Sequence, residues 1–167
     1  MFVYREIGPG RIDEVRPLWE RQREFHVLCT AYFADDVRRR TFVGRKEELL
    51  GKARPDGLSV DVCYRAADDG AAGDEAAERA VGYCVSSVTA DGVGEIESLY
   101  VHDDFRRHGI ATELVRRTIV WLERQQPTKI IVVALAENVA ATEFYKRFGL
   151  MPRAVVSELV RGPDAAH

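Results

Sequence analysis

The segment Arg106-Arg107-His108-Gly109-Ile110-Ala111-Thr112 has the clearest capacity for chemistry in this chain. It lies where an apolar, β-rich run gives way to a helical pattern, so its backbone opens a helix. The first turn of a helix leaves four N–H groups without intrahelical partners, and the peptide dipoles make that end positive. A phosphate fits such a turn. Gly109 removes a side chain that would block close approach, Ala111 keeps the next turn slim, and Arg106 and Arg107 add charge. Two further sets of groups stand out. Tyr145 follows Asn138 by seven residues, so the two share one face of a helix. Glu95 and Glu97 fall on one face of a strand, where apolar neighbours would raise a carboxyl pKa into the working range of a base.

The elements that must position these groups follow from periodicity. Phe2–Ile7 alternates as a half-buried strand does, and Gly8-Pro9-Gly10 ends it. From Arg11 to Cys29, the residues Ile12, Val15, Leu18, Trp19, Gln22, Phe25 and His26 recur at helical steps, which predicts one amphipathic helix. A second helix is predicted over Asp35–Lys52, acidic at its start and closed by Gly51, with Gly44 as its weak point. Leu58–Ala66 is β-rich, and the small, acidic Asp68–Arg79 stretch reads as a hairpin loop. Ala80–Thr89 and Val93–Val101 form a hairpin on Ala90-Asp91-Gly92.

Downstream, a helix is expected from Gly109 to Gln125. Lys129–Ala134 follows as an apolar strand covered on both faces, then a helix over Glu137–Phe148 capped by Gly149, and a last strand over Met151–Val160. The order is β-α-α-β-β-β-α-β-α-β in one domain spanning 1–167. This is an α/β fold (α+β) with a mixed, mostly antiparallel central sheet, helices on both faces, and parallel strands at the β-α-β crossover.

Arg106-x-x-Gly109-x-Ala111, after Ile96-Glu-Ser-Leu-Tyr-Val101, resembles the acetyl-CoA signature of the GNAT superfamily of N-acetyltransferases. Asn138-Val-Ala-Ala141-Thr-Glu-Phe-Tyr145-Lys-Arg-Phe-Gly149-Leu150 is similar to that family's second signature, with Leu150 in place of the usual Phe. The resemblance is sharp over Ala80–Met151 and only topological before it. It implies transfer of an acetyl group from acetyl-CoA to an amine by direct attack in a ternary complex. It further implies that the strands Val93–Val101 and Lys129–Ala136 splay around coenzyme A, and that backbone groups of Leu99 and Val101 pair with the pantetheine arm. A backbone N–H there would hold the thioester oxygen. N–H groups of Arg107, His108, Gly109, Ile110, Ala111 and Thr112 would hold the pyrophosphate, and Asn138 would contact the cofactor through its amide. Tyr145 would protonate the leaving sulfur. The amine's proton would go to Glu95, which lies eleven residues before Arg106, to Glu97, or to a water chain.

Composition sets the remaining bounds. With 46% apolar and 31% charged residues over 167 positions, the chain is an ordinary globular sequence. No run approaches the ~18 apolar residues of a membrane span, and the N-terminus lacks a secretory pattern, so a cytoplasmic protein is expected. A net charge of −3 gives no electrostatic reason to expect nucleic acid. Cys29, Cys63 and Cys84 lack ligand spacing and read as reduced, packed thiols, and no metal is expected. His102 is expected to be exposed, His26 to be a core or cleft histidine, and His108 to matter through its backbone. Arg38-Arg39-Arg40 with Arg45-Lys46 reads as a solvated helix face that could instead recruit an acidic acceptor. Competing readings are transfer of a larger acyl group, transfer to a non-amine, and a non-catalytic acyl-CoA sensor. No P-loop or dinucleotide fingerprint is present. A homodimer is implied only at family level. The acceptor itself is not written in any recognisable pattern.

Overall fold

The computed structural model describes residues 1–66 and 78–160; the predicted Asp68–Arg79 loop lies almost wholly outside them. The chain runs β1 (Phe2–Glu6), a 3-10 segment (Pro9–Val15), α1 (Arg16–Cys29), α2 (Ala34–Arg39) and α3 (Phe42–Lys52). It continues through β2 (Ala53–Arg65), β3 (Arg79–Thr89), β4 (Val93–Val101), a 3-10 turn (Asp103–Phe105), α4 (Ile110–Arg124), β5 (Lys129–Val132) and α5 (Val139–Lys146). The sheet has the order β1-β2-β3-β4-β5, antiparallel throughout except for the parallel β4–β5 pair.

Two apolar cores lie on the two faces of this sheet. One joins Ile12, Val15, Leu18, Trp19, Phe42 and Leu49 to Val60, Val62, Tyr83 and Val85. The other joins Ile110, Leu114, Val115 and Leu122 of α4, and Tyr145 of α5, to Val81, Val88 and Ile96. Leu114 and Leu122 are fully buried, and each such side chain contributes about 1.5–3 kcal/mol.

Four expectations change in the structure. The predicted helix from Arg11 is a 3-10 segment up to Val15 and becomes α-helical only at Arg16. Pro17 has no N–H to give the carbonyl four residues back, so it fits only the first turn of an α-helix. The predicted second helix is two helices. The chain extends at Arg40 and Thr41, and the Thr41 hydroxyl caps α3 by accepting from the Gly44 N–H at 3.1 Å. The break therefore falls at the cap, and Gly44 lies inside α3.

The strand after α4 stops at Val132. Its residues are half-buried rather than covered on both faces, and Val133 is exposed. Among the described residues its one partner is β4, through Val93–Ile96 against Lys129–Val132, and the ladder ends where β4 bends away. Finally, Met151–Val160 forms no strand and is exposed throughout. Pro152 lacks a ladder donor, and adjacent Val155 and Val156 would face opposite sides of any strand, with no described element covering either.

Candidate functional site

The site begins with one extra residue. Val85 pairs with Ser98 but Ser86 pairs with Ile96, so Glu97 is a β-bulge in β4. A bulge bends and twists its strand. The parallel ladder with β5 ends at Ile96, and Ser98–Val101 runs on with its outer edge unpaired.

That edge is a row of donors. The Leu99 carbonyl accepts from Gln22 Nε2 at 3.1 Å, and the Val101 carbonyl accepts from Arg106 Nε at 3.2 Å. The N–H and C=O of a strand residue point the same way. The N–H groups of Leu99 and Val101 therefore face the open side beside carbonyls that already have partners.

The turn into α4 adds a second row. Arg107 and Gly109 both have positive φ, 67° and 78°, and the first backbone bond of α4 is Glu113 N–H to Gly109 O at 3.0 Å. Among the described residues no backbone N–H from Arg107 through Thr112 donates a hydrogen bond. Successive donors in a left-handed turn at a helix start form an anion nest. A Cβ on Gly109 would meet no protein atom within 4 Å, so φ is what demands glycine here, and the space above it is open.

The two arginines divide their work. Arg106 pairs with Asp103 at 2.5 Å and lies over the rings of Phe25 and Tyr100, so its charge is largely used within the protein. Arg107 has no ion pair among the described residues. The His108 ring turns away against Phe2, and its Nδ1 lies 2.9 Å from the Arg106 carbonyl. His102 is buried, not exposed: its Nδ1 accepts from the Asp104 N–H and its ring meets Phe105 edge-on, which caps the 3-10 turn.

Opposite β4 stands α5. Asn138 caps it, its side-chain oxygen accepting from Ala141 N–H at 3.2 Å, which leaves its amide NH2 group for a ligand. Gly149 (φ 80°) closes the helix, with Gly149 N–H bonded to Lys146 O and Leu150 N–H to Tyr145 O. Tyr145 is 7% exposed and its hydroxyl has no hydrogen-bond partner among the described residues. Burial, with Cys84 and Tyr83 nearby, pushes its pKa well above the usual tyrosine range, so it holds its proton at any physiological pH.

Two cavities meet here. One, of about 470 Å³, runs past Val101 and Phe105 to the turn of Arg106–Thr112. The other, of about 380 Å³, opens between α1, α3, β4 and the residues after β5. Gln22, His26, Leu99, Asn138, Ala141 and Tyr145 line both. Glu95 and Glu97 line only the second, held in a charge network. Lys52 reaches Glu95 at 2.5 Å and Glu97 at 2.7 Å, Arg45 reaches Glu97 at 2.9 Å, and Ser87 Oγ donates to Glu97 at 2.5 Å. The Glu97 side chain is 1% exposed against 13% for Glu95. Burial, and secondarily Arg40, lowers the His26 pKa below its ordinary value, so this imidazole is neutral at pH 7. Cys63 and Cys84 are buried thiols pushed up to about 11 and about 12, and so are inert.

Periodicity placed Gln22 on the inner face of its helix but could not supply its partners. Its side-chain oxygen accepts from Ser98 Oγ at 2.7 Å and from the Tyr83 hydroxyl, while its amide holds Leu99. Gln22→Leu leaves the Leu99 carbonyl short of a donor and one hydroxyl proton short of an acceptor, because the Tyr83 and Ser98 hydroxyls lie 2.8 Å apart and can bond only each other. We expect a loss of about 2–3 kcal/mol in urea unfolding, with an unchanged m-value. Phe144 and Arg147 also line the first cavity, Arg147 as the C-terminal cap of α5 two residues after Tyr145, and neither carries a sequence signal of its own.

The described residues thus form a mixed sheet that splays beside a parallel crossover, with a turn of unpaired N–H donors at one end of the opening. The chain belongs to the acetyltransferase (GNAT) family, whose model matches residues 31–150. It is 32% identical over 77 residues to an uncharacterized N-acetyltransferase of Methanocaldococcus jannaschii, a match covering 46% of this chain and about a third (34%) of that relative's length. Its fold is shared with the BH1408 protein of Bacillus halodurans at a TM-score of 0.66, with 19% identity over 94% of this chain and 98% of the other. It is also shared with the aminoglycoside N-acetyltransferase AAC(6′)-Iy, bound to a CoA bisubstrate analogue, at a TM-score of 0.60 with 17% identity over 97% and 99% of the two chains.

Proposed function

We propose that this chain transfers an acetyl group from acetyl-CoA to a primary amine held in the cavity between α1, α3 and β4. The observation that carries this reading is the run of unpaired N–H donors from Arg107 to Thr112, continuous with the unpaired β4 edge at Leu99 and Val101. A diphosphate takes the first set, with Arg106 and Arg107 beside it and Ile110, Ala111 and Thr112 supplying helix-start donors. The arm linking diphosphate to thioester extends along the second, and Asn138 offers its amide from the far wall.

The residues divide the chemistry as follows. A Leu99 or Val101 N–H donates to the thioester oxygen as negative charge develops on it. Tyr145, whose hydroxyl is protonated and otherwise unspent, donates to the departing sulfur. Glu95 is the carboxylate an amine or its water can reach. Glu97, the more buried of the pair, holds Lys52 and Arg45 in place. That Tyr145 stands at the junction of both cavities favours a working transferase over a sensor that only binds acyl-CoA.

The test is calorimetry with coenzyme A followed by thiol release from acetyl-CoA in the presence of primary amines. Saturable binding and amine-dependent release are expected. A flat titration ends the reading, and binding without release for any amine leaves the sensor.

A further inference from the structure

The cavity that takes the acceptor carries an unbalanced charge. Its lining holds four cations, Arg23, Arg40, Arg45 and Lys52, and three carboxylates, Glu48, Glu95 and Glu97. Arg45 and Lys52 use all three carboxylates: Arg45 reaches Glu48 at 2.7 Å and Glu97 at 2.9 Å, and Lys52 reaches Glu95 and Glu97 at 2.5 and 2.7 Å. Each carboxylate of this lining, Glu95 included, therefore already has a cation of α3 within ion-pair distance.

The other two cations have no ion pair among the described residues. Arg23 gives Nη1 to the Arg40 carbonyl at 3.0 Å and lies over Trp19 with its guanidinium carbon 5.6 Å from the ring centroid, which orients it without cancelling its charge. Arg40 has no carboxylate partner among the described residues. Its basic neighbours in sequence do: Arg38 pairs with Asp35 at 2.6 Å, Arg39 with Asp36 at 3.3 Å, and Lys46 with Asp13 at 2.6 Å. Of the basic cluster at the α2–α3 junction, the residue left unpaired is one that lines the cavity. Its charge acts on His26, which lines both cavities, so it bears on the junction where transfer takes place.

We infer that the acceptor is a small amine that also carries a carboxylate, held by Arg23 and Arg40 while its amino group faces Tyr145 and Leu99. This rests on the transfer reaction proposed above. A polyamine or aminoglycoside would meet two uncompensated guanidiniums and no unpaired carboxylate, whereas an amino-carboxylate supplies the missing anion. The fold shared with an aminoglycoside enzyme therefore does not extend to its acceptor.

Thiol release is measured with acetyl-CoA and a panel of glutamate, aspartate, their diamides (which carry no carboxylate), spermidine and kanamycin, at low and high salt. We expect kcat/KM for glutamate or aspartate to exceed that for the amides and for the polycations by about tenfold or more. We expect Arg40→Glu to raise KM for the carboxylate-bearing amine by about tenfold, to move kcat less, to narrow the gap to spermidine, and Arg40→Lys to restore part of the loss. Arg40 is exposed, so both variants should fold, and a coenzyme A titration of each confirms an intact cofactor site. Preference for spermidine or kanamycin overturns the inference, as does indifference of KM to Arg40→Glu, or no turnover of either amino acid while coenzyme A binds. Failure to bind coenzyme A overturns the transfer reading beneath it instead.

Discussion

Tyr145→Phe lowers kcat for acetyl transfer by about 10²- to 10³-fold while the Kd for coenzyme A stays within about threefold of wild type. The substitution removes one oxygen and keeps the ring, so the packing of Tyr145 against α4 and the sheet persists. Among the described residues that oxygen has no partner to leave stranded, which separates a catalytic loss from a folding loss. Thiol release under saturating acetyl-CoA, paired with calorimetry on coenzyme A, makes the comparison. An unchanged kcat would remove Tyr145 as the proton donor. Raised pH is not expected to mimic the mutation within the stable range of the protein, because burial holds the phenol protonated far past neutrality.

Gly109→Trp abolishes the thermal stabilisation that acetyl-CoA gives the wild type. At a ligand concentration of ~100 Kd, binding contributes about 2.7 kcal/mol to stability. In a domain of this size that raises Tm by about 5–10 °C. The mutant is also less stable without ligand, since a side chain at φ 78° costs about 1–2 kcal/mol. The reading is therefore the difference between loaded and unloaded mutant, which should vanish as the indole fills the approach to the donors of Arg107–Thr112. A shift equal to wild type would show that the diphosphate binds elsewhere.

Much of the site was legible because its signals are local. A glycine placed before an apolar helical stripe marks both a positive φ and a helix start, and Gly109 opens α4 as expected. The hairpin at Ala90–Gly92 and the Gly149 close of α5 are equally local. Spacing set Asn138 and Tyr145 on one face, and both line the junction of the cavities.

What was missed depends on distant partners. Thr41 became a helix cap because its hydroxyl meets the Gly44 N–H, and a propensity scan weighs the glycine rather than the cap. Glu95 and Glu97 were equivalent in an alternating strand; only the pairing of β3 shows that Glu97 is the extra residue and the more deeply buried. The strand character of Met151–Val160 is real in composition, yet a strand requires a free edge in register. His102 looked like a loop residue until Phe105 and the Asp104 N–H folded around it.

The opening of the sheet therefore hangs on a single codon. With Glu97 deleted, Ser98 would follow Ile96 without interruption opposite Val85 and Ser86, and the two antiparallel neighbours would keep step along their whole length. The fourth strand would lose its bend and could zip onward beside the fifth, trading its free donors for a seamless ladder. Such a shortened protein would close its groove by the regularity that ordinary strands seek, and would leave Arg45, Lys52 and Ser87 without the buried carboxylate they share.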